Sequence, residues 1–250
     1  AKQKNAAPTS EQLDYFGDVA SVDVQIQRVR DLLKQYNVMD NTLIWLTSDN
    51  GPEGDGAGPY GNTEWPGSPN GLRGRKRDVW EGGIREPTII QFNGYIKNSN
   101  GFNSTYPIVT YDLLPTIMDL LNVTSDNPSW VIDGSSLVEL FENFDVMKNR
   151  EKPMGWKFGK GSAYVNDTWK VVQDSHDCSG NSCNPALYDL STDPHETTDL
   201  QDKYPDIFKA LMDDLKTWLV SVNNSQYEES KCAINKTERV KLYEVIDVYD

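Results

Sequence analysis

Apolar residues near the start of the chain recur at steps of three and four, and farther along they form short continuous runs. The first pattern comprises Phe16, Val19, Val22, Ile26, Val29, Leu33 and Tyr36. Residues at this spacing share one face of a helix, and Thr9 with Gln12 has the spacing of a capping box. The pattern therefore predicts an amphipathic helix that begins after Thr9 and ends near Asn37.

Two continuous apolar runs of strand length follow this helix. Residues 42–47 and 87–92 show no alternation of apolar and polar positions, which is typical of strands buried on both faces, as in a parallel sheet. Between the runs, residues 48–71 are rich in Gly, Pro, Asn and acidic side chains. Long ordered loops in compact domains are often functional, so this loop is the first place to look for a site.

Two further helices are predicted at residues 111–121 and 133–141. Pro115 falls near the first turn of the earlier one, where proline is tolerated. The order helix, buried strand, loop, buried strand, helix predicts an α/β domain with a mixed, mostly parallel sheet over residues 1–145.

The pattern changes in residues 146–250. Residues 162–165 and 169–173 are separated by a turn that contains Asn166 and Asp167, which predicts a β-hairpin. A third strand is predicted at 186–190 and an amphipathic helix at 206–222. We interpret this part as a small α+β subdomain with an antiparallel sheet.

Composition limits the partners of the chain and its setting. The net charge of −14 argues against nucleic acid as a main partner, because phosphate backbones attract basic surfaces. No apolar run approaches the roughly 20 residues that a membrane span needs. The chain begins at Ala1, and residues 1–10 are polar without the apolar core of a signal peptide. We therefore expect the true start of the protein to lie upstream.

Glycosylation signals and cysteines indicate the secretory pathway, either lysosomal or extracellular. The pattern Asn-x-Ser/Thr occurs at Asn103, Asn122, Asn166, Asn223 and Asn235. Cys178 and Cys183 flank a turn-rich loop and are predicted to form a small disulfide. Cys232 remains without an assigned partner.

The strongest local signal for chemistry is Ser48-Asp49-Asn50-Gly51, directly after the first predicted strand. Ligands of open α/β sheets bind at the carboxyl ends of strands, and a carboxylate beside a carboxamide suits Ca²⁺. Taken alone, the tripeptide Asp49-Asn50-Gly51 is more typical of an ordinary turn than of a metal site.

The second signal is a basic loop before the second predicted strand, with Lys76 placed to contact an anionic oxygen. Such a cluster taken alone is usually a solvated basic patch. The two signals together, with Leu72-Arg-Gly-Arg-Lys76 followed by Glu81-Gly-Gly-Ile-Arg85-Glu-Pro87, closely resemble the sulfatase family of the alkaline-phosphatase-like superfamily. Further segments match in order: Tyr111-Asp-Leu-Leu-Pro-Thr116, Asp133-Gly-Ser-Ser-Leu137 and Leu187-Tyr-Asp-Leu-Ser-Thr-Asp-Pro-His-Glu196.

The resemblance implies an alkaline-phosphatase-like sandwich and a role for each matching residue. Asp49 and Asn50 match the second pair of calcium ligands of the family, and Lys76 matches its sulfate-contacting lysine. Arg73, Glu81 and Arg85 are expected to brace the loop.

The family's nucleophile is a formylglycine made from Cys or Ser in a Cys/Ser-x-Pro-x-Arg motif. We expect that motif, another pair of Asp ligands and the acid/base histidines in a missing N-terminal part. Cys183-Asn-Pro-Ala-Leu187 begins like the motif but has leucine where arginine is required. His176 and His195 are interpreted as structural.

The predicted activity is therefore the hydrolysis of sulfate esters, of glycans or small molecules, by a Ca²⁺-dependent parent enzyme, with residues 1–250 inactive alone. Two alternatives remain. One is a non-catalytic secreted glycoprotein derived from a sulfatase, and the other is a phosphodiesterase or phosphatase of the same superfamily. Sequence patterns leave the oligomeric state open.

Overall fold

The computed structural model describes residues 9–54, 67–96, 101–124, 131–142, 150–179 and 182–231, with the backbone alone at 174–179, 182–183 and 225–231. Helices and strands alternate in the first part of the chain, and four consecutive strands precede a final helix. The elements are α1 Ser10–Gln35, β1 Ile44–Thr47, α2 Glu81–Ile84, β2 Thr88–Gln91, α3 Leu113–Leu120, α4 Val138–Glu142, β3 Met154–Phe158, β4 Gly161–Asn166, β5 Trp169–Ser179, β6 Ser182–Asp189 and α5 Pro205–Lys231.

Helix α1 begins at the predicted capping box. The Gln12 amide donates to the Thr9 hydroxyl, and the Gln12 side chain accepts from the Thr9 amide, so both orphan donors are satisfied. The predicted apolar residues lie along α1, but no residue of this helix is buried, and Phe16 is 56% exposed. The predicted helix is confirmed, and its apolar face is open in the described part of the protein.

The two apolar runs form β1 and β2, which pair with each other in antiparallel register, Trp45 opposite Ile90. Neither strand is buried on both faces, and Ile89 is 63% exposed. The α/β class is confirmed, whereas the expectation of burial on both faces is wrong for these strands. Every pair of neighbouring strands in the described ranges is antiparallel.

The second sheet has the order β3-β4-β5-β6. The predicted hairpin is confirmed, with Asn166 paired to Trp169 across the turn and Asp167 at a φ of 56°, a conformation that Asp tolerates in turns. The third predicted strand is β6. Strand β3 was not predicted, because Gly155 interrupts its apolar pattern. A side chain at Gly155 would meet the Trp218 ring at 2.3 Å, so the glycine is required by close packing.

Both faces of the second sheet are covered. Helix α5 packs on one face through Leu211 and Leu215, and the segment just before α2 packs on the other through Val79 and Trp80. Leu215 is fully buried, so replacing it with alanine would cost about 2–5 kcal/mol. A third apolar cluster joins β1 and β2 to α4 and consists of Tyr106, Leu137, Leu140 and Phe141 with the partly buried Trp45 and Ile90.

No helix in the described ranges has both the length and the apolar content needed to cross a membrane.

Candidate metal and anion site

The candidate site begins where β1 ends. The Ser48 amide donates to the Pro87 carbonyl at 3.4 Å. The pairing of β1 with the β2 segment therefore continues one residue beyond the end of β1. The Asn50 amide then donates to Asp49 Oδ1 at 3.0 Å, and the Ser48 hydroxyl donates to the Asn50 carbonyl at 3.2 Å. These contacts form a tight turn that leaves Asp49 exposed and Asn50 half-buried.

Gly51 lies directly against helix α2. Its amide donates to the Gly83 carbonyl at 3.0 Å, and a β-carbon at Gly51 would lie 1.9 Å from the Gly82 carbonyl oxygen. Real β-carbons do not approach a carbonyl so closely, so only glycine fits at this position. The position of α2 therefore determines where the Asp49–Asn50 turn lies.

Lys76 lies on a loop that is hydrogen-bonded to the same segment. Its amide donates to the Pro52 carbonyl at 3.1 Å, and its Nζ lies 3.6 Å from Glu53 Oε2. The buried Arg75 guanidinium holds the two loops together by donating to the Glu53 carbonyl from Nε (3.1 Å) and Nη2 (2.8 Å). The backbone thus places Asp49, Asn50 and Lys76 on two adjoining loops.

Glu86 is a second carboxylate beside this turn, and the sequence patterns gave no signal for it. Burial raises the pKa of Glu86 above its ordinary value, a hydrogen bond with Ser48 opposes that rise, and the charge of Asp49 adds to it. Two neighbouring carboxylates repel each other, and a cation beside them would relieve that repulsion.

The donors fit a hard cation only in part. Asp49 and Asn50 supply carboxylate and carboxamide oxygens of the kind that Ca²⁺ takes, but the ion needs six to eight ligands. Within the described residues, no group of three or more His, Cys, Asp and Glu side chains is arranged to hold a metal. The two residues are therefore at most part of a complete metal site.

Helix α2 rests on a buried charge cluster. Glu81 Oε1 accepts from Lys170 Nζ at 2.8 Å, and the Glu81 amide donates to Glu196 Oε2 at 2.7 Å. Lys170 Nζ also lies 2.7 Å from Glu196 Oε1. Arg85, which is exposed, lies 3.6 Å from Glu81 Oε2. The bracing role expected for Glu81 agrees with these contacts, whereas Lys170 and Glu196 were missed.

Arg73 contacts the second sheet from the same side. Its guanidinium stacks 3.5 Å from the centre of the Trp80 ring, and its Nη1 donates to the Tyr188 hydroxyl at 3.1 Å and the Glu196 carbonyl at 3.3 Å. Arg73 therefore links the loop that carries Lys76 to strand β6.

The remaining predicted residues lie elsewhere. His195 is exposed, with Nδ1 2.9 Å from the Gly71 carbonyl, while the side chain of His176 falls outside the described residues.

Cys178 and Cys183 are Cα partners in the β5–β6 register, and their disulfide stays a prediction because their side chains are not described. The exposed glycosylation candidates are Asn103, Asn122, Asn166 and Asn223. Asn235 and Cys232 lie outside the described residues.

A cavity of about 1310 Å³ lies between β2, residues 101–108 and the second sheet. Glu86 and Arg150 line it, but Asp49, Asn50 and Lys76 do not. We therefore locate the candidate site at the turn after β1 and not in this cavity.

Known structures share this fold. Ps i-CgsB, solved in complex with k-i-k-neocarrahexaose, matches 84% of this chain and 44% of its own with a TM-score of 0.68 at 21% identity. A structure solved with its substrate D-glucosamine-2-N,6-O-disulfate covers 84% of this chain and 40% of its own, with a TM-score of 0.55 at 23% identity. A phosphonate monoester hydrolase of Agrobacterium radiobacter covers 83% and 40%, with a TM-score of 0.54 at 21% identity. At these identities the matches show a shared fold.

Sequence comparison points to a particular family of proteins. Residues 2–123 match the family model described as Sulfatase. A sulfatase of Formosa agariphila is 27% identical over 88% of this chain and 42% of its own length. Steryl-sulfatase of Rattus norvegicus is 35% identical over 50% of this chain and 21% of its own length. The chain is therefore similar to proteins of the sulfatase family, and it spans less than half the length of these relatives.

Proposed function

We propose that the protein to which this chain belongs is a Ca²⁺-dependent sulfuric ester hydrolase. The observation that supports this most directly is the hydrogen bond from the Lys76 amide to the Pro52 carbonyl, which joins the Lys76 loop to the segment that follows the Asp49–Asn50 turn. Oxygen donors beside an ammonium suit a site for a divalent cation and a tetrahedral anion.

Each of the three residues has a role in this proposal. Asp49 and Asn50 would hold Ca²⁺ through their side-chain oxygens, and the ion would supply positive charge opposite the sulfate oxygens. Lys76 would bind a sulfate oxygen directly. In the structure Glu53 accompanies the Lys76 ammonium, so an incoming sulfate would take over from a carboxylate partner.

The nucleophile would come from sequence outside residues 1–250. The chain contains no Cys/Ser-x-Pro-x-Arg motif, and it spans 42% of the F. agariphila sulfatase. We propose that a formylglycine, further calcium ligands and the acid/base histidines lie in an N-terminal part, and that residues 1–250 are inactive alone.

The proposed substrates are sulfated glycans, with small aryl sulfates as assay substrates. Neighbouring folds include the structure with D-glucosamine-2-N,6-O-disulfate and one described within glycosaminoglycan metabolism of Bacteroides thetaiotaomicron. The proposed setting is the secretory pathway, lysosomal or extracellular. It is supported by four glycosylation signals that lie at exposed asparagines.

The test is an assay of the full-length gene product, produced in cells that also express a formylglycine-generating enzyme. We expect hydrolysis of para-nitrophenyl sulfate and release of sulfate from a sulfated glucosamine, both lost with EGTA and restored by Ca²⁺. Hydrolysis of a phosphate diester or phosphonate without sulfatase activity would favour the phosphoryl-transfer alternative. No hydrolysis of either, with sulfated-glycan binding retained, would favour the non-catalytic glycoprotein. Metal-dependent sulfatase activity of purified residues 1–250 would overturn the proposal that an N-terminal part is required.

A further inference from the structure

The ion cluster beneath α2 connects distant parts of the chain. Lys170 lies on β5, Glu81 opens α2, and Glu196 follows β6. The Lys170 and Glu196 side chains have no solvent exposure, and Glu81 is 8% exposed. Burying these charges is unfavourable unless they are paired and hydrogen-bonded.

The pairing within this cluster is close. Burial by itself lowers the pKa of Lys170, but the charges of Glu196 and Glu81 outweigh it and raise the pKa. The two glutamates thus favour the ammonium form of Lys170, while burial raises the pKa of Glu196 against the opposing charge of Lys170. Arg85 adds a second cation near Glu81 at 3.6 Å, so the four groups can balance one another.

The cluster fixes the α2 backbone directly, because the Glu81 amide donates to Glu196. Two residues farther along, the Gly83 carbonyl accepts from the Gly51 amide, and the Gly82 carbonyl leaves no room for a side chain at Gly51. A shift of α2 is therefore transmitted to Gly51 and to the Asp49–Asn50 turn immediately before it.

We propose that Lys170 and Glu196 are positioning residues that set the affinity of the Asp49–Asn50 site for Ca²⁺. This inference rests on the proposed function, since it presupposes a calcium site there. Neither residue is predicted to touch the ion. Their effect passes through Glu81 and the Gly82–Gly83 carbonyls to the turn that carries the ligands.

A purely structural role would lower stability without acting selectively on the site. The matched control is Leu215→Ala, which leaves a cavity on the α5 side of the same sheet and does not touch α2. A surface control is Lys209→Met, because Lys209 is 79% exposed on α5.

The experiment compares Lys170→Met, Lys170→Arg and Glu196→Gln with these controls in the full-length gene product. Calcium affinity is measured by isothermal titration calorimetry, global stability by thermal unfolding, and local order by hydrogen exchange of peptides covering residues 48–54 and 80–84. Residues that touch no ligand but lie on the packed path to a site typically change its affinity by about 2- to 30-fold. We expect Lys170→Met and Glu196→Gln to weaken Ca²⁺ binding within this range and to accelerate exchange in both peptides. Lys170→Arg, which keeps the charge, should recover part of the affinity.

If Lys170→Met does not fold, the double variant Lys170→Met/Glu196→Gln replaces it, since it leaves Glu81 with Arg85 as its cation. Unchanged affinity and exchange in Glu196→Gln and the lysine variant would overturn the inference. An equal loss of affinity in Leu215→Ala, at a matched loss of Tm, would also overturn it. Absence of Ca²⁺ binding by the wild-type protein would instead overturn the calcium site of the proposed function itself.

Discussion

Arg150 and Asp112 form a bidentate pair in the interior, with Nη1–Oδ2 and Nη2–Oδ1 distances of 2.7 Å. Their side chains are 2% and 0% exposed. Asp112 also accepts from the Ser135 and Val109 amides, so one carboxylate joins the start of α3, the segment before α4 and the segment before β3.

Asp112→Asn should therefore destabilise the fold strongly. Removing one partner of a buried pair leaves the other charge uncompensated, which costs about 3–5 kcal/mol. Chemical denaturation measures the loss. Asp213→Asn, at an exposed pair on α5, is the control and should change stability by no more than about 1 kcal/mol. Similar small effects at both sites would contradict the role given to Asp112.

Gly51→Ala and Gly17→Ala should change stability in opposite directions. The new methyl at position 51 would lie 1.9 Å from the Gly82 carbonyl oxygen, whereas at position 17 it would meet no atom of the described residues within 4 Å apart from the helix's own backbone. We expect a loss of about 1–3 kcal/mol for the first, from overpacking, and a gain of about 0.5–1 kcal/mol for the second, within a helix. Urea unfolding of both variants checks this, and a tolerated Gly51→Ala would show that the turn does not rest on α2.

Lys76→Ala should reduce the proposed sulfatase activity of the full-length gene product. Loss of a charged group that stabilises developing negative charge lowers kcat by about 10²–10³-fold. The control is Arg77→Ala, because Arg77 is exposed next in sequence and pairs with Glu53. Equal losses in the two variants would assign the effect to general loop charge and not to Lys76.

Tyr164 and Tyr188 should ionise late on an alkaline titration. Burial is the main cause that raises the pKa of each to about 12, from the ordinary value of 10.0. Because the folded pKa lies above the unfolded one, their stabilising contribution is complete below pH 10.0 and is lost as the pH rises toward about 12. Tyrosinate absorbance of the wild type should show a late fraction that Tyr164→Phe and Tyr188→Phe reduce. Removal of the late fraction by Tyr36→Phe, at an exposed tyrosine, would contradict the assignment.

Glu53 should titrate well below the ordinary range of a glutamate. A hydrogen bond from Arg77 is the main cause that lowers its pKa from 4.5 to about 2, with the charge of Lys76 contributing. The interaction is therefore complete above pH 4.5 and is lost as the pH falls through about 2. Carbon NMR of the carboxyl group should show the pKa return toward 4.5 in Arg77→Met and stay unchanged in Lys157→Met, a lysine paired with Asn223 elsewhere. An unaltered pKa in Arg77→Met would exclude the proposed cause.

Local patterns predicted most of the elements. The capping box of Thr9 and Gln12 gave the start of α1, and the Asn166–Asp167 turn gave the β4–β5 hairpin, because both depend on residues close in sequence. The Asp49–Asn50 turn and the Lys76 loop were singled out for the same reason, aided by the family resemblance.

Contacts between distant residues were not predictable. Lys170 follows Trp169 in a short strand pattern and gives no sign of burial, yet the fold places it between carboxylates 89 and 26 positions away, Glu81 and Glu196. The burial predicted for β1 and β2 was too high. An apolar run indicates that a segment favours a buried position, but it does not show whether other described residues cover both of its faces.

The shared lysine restricts how parts of this chain can be exchanged with those of its relatives. A chimera that takes β5 from this protein and α2 from a protein without a glutamate at the position of Glu81 would bury Lys170 without one of its two carboxylate partners. Transferring the four-stranded sheet to another protein therefore requires Glu81, Lys170 and Glu196 together. A chimera joined at residue 146 would take Glu81 from one parent and the other two residues from the second.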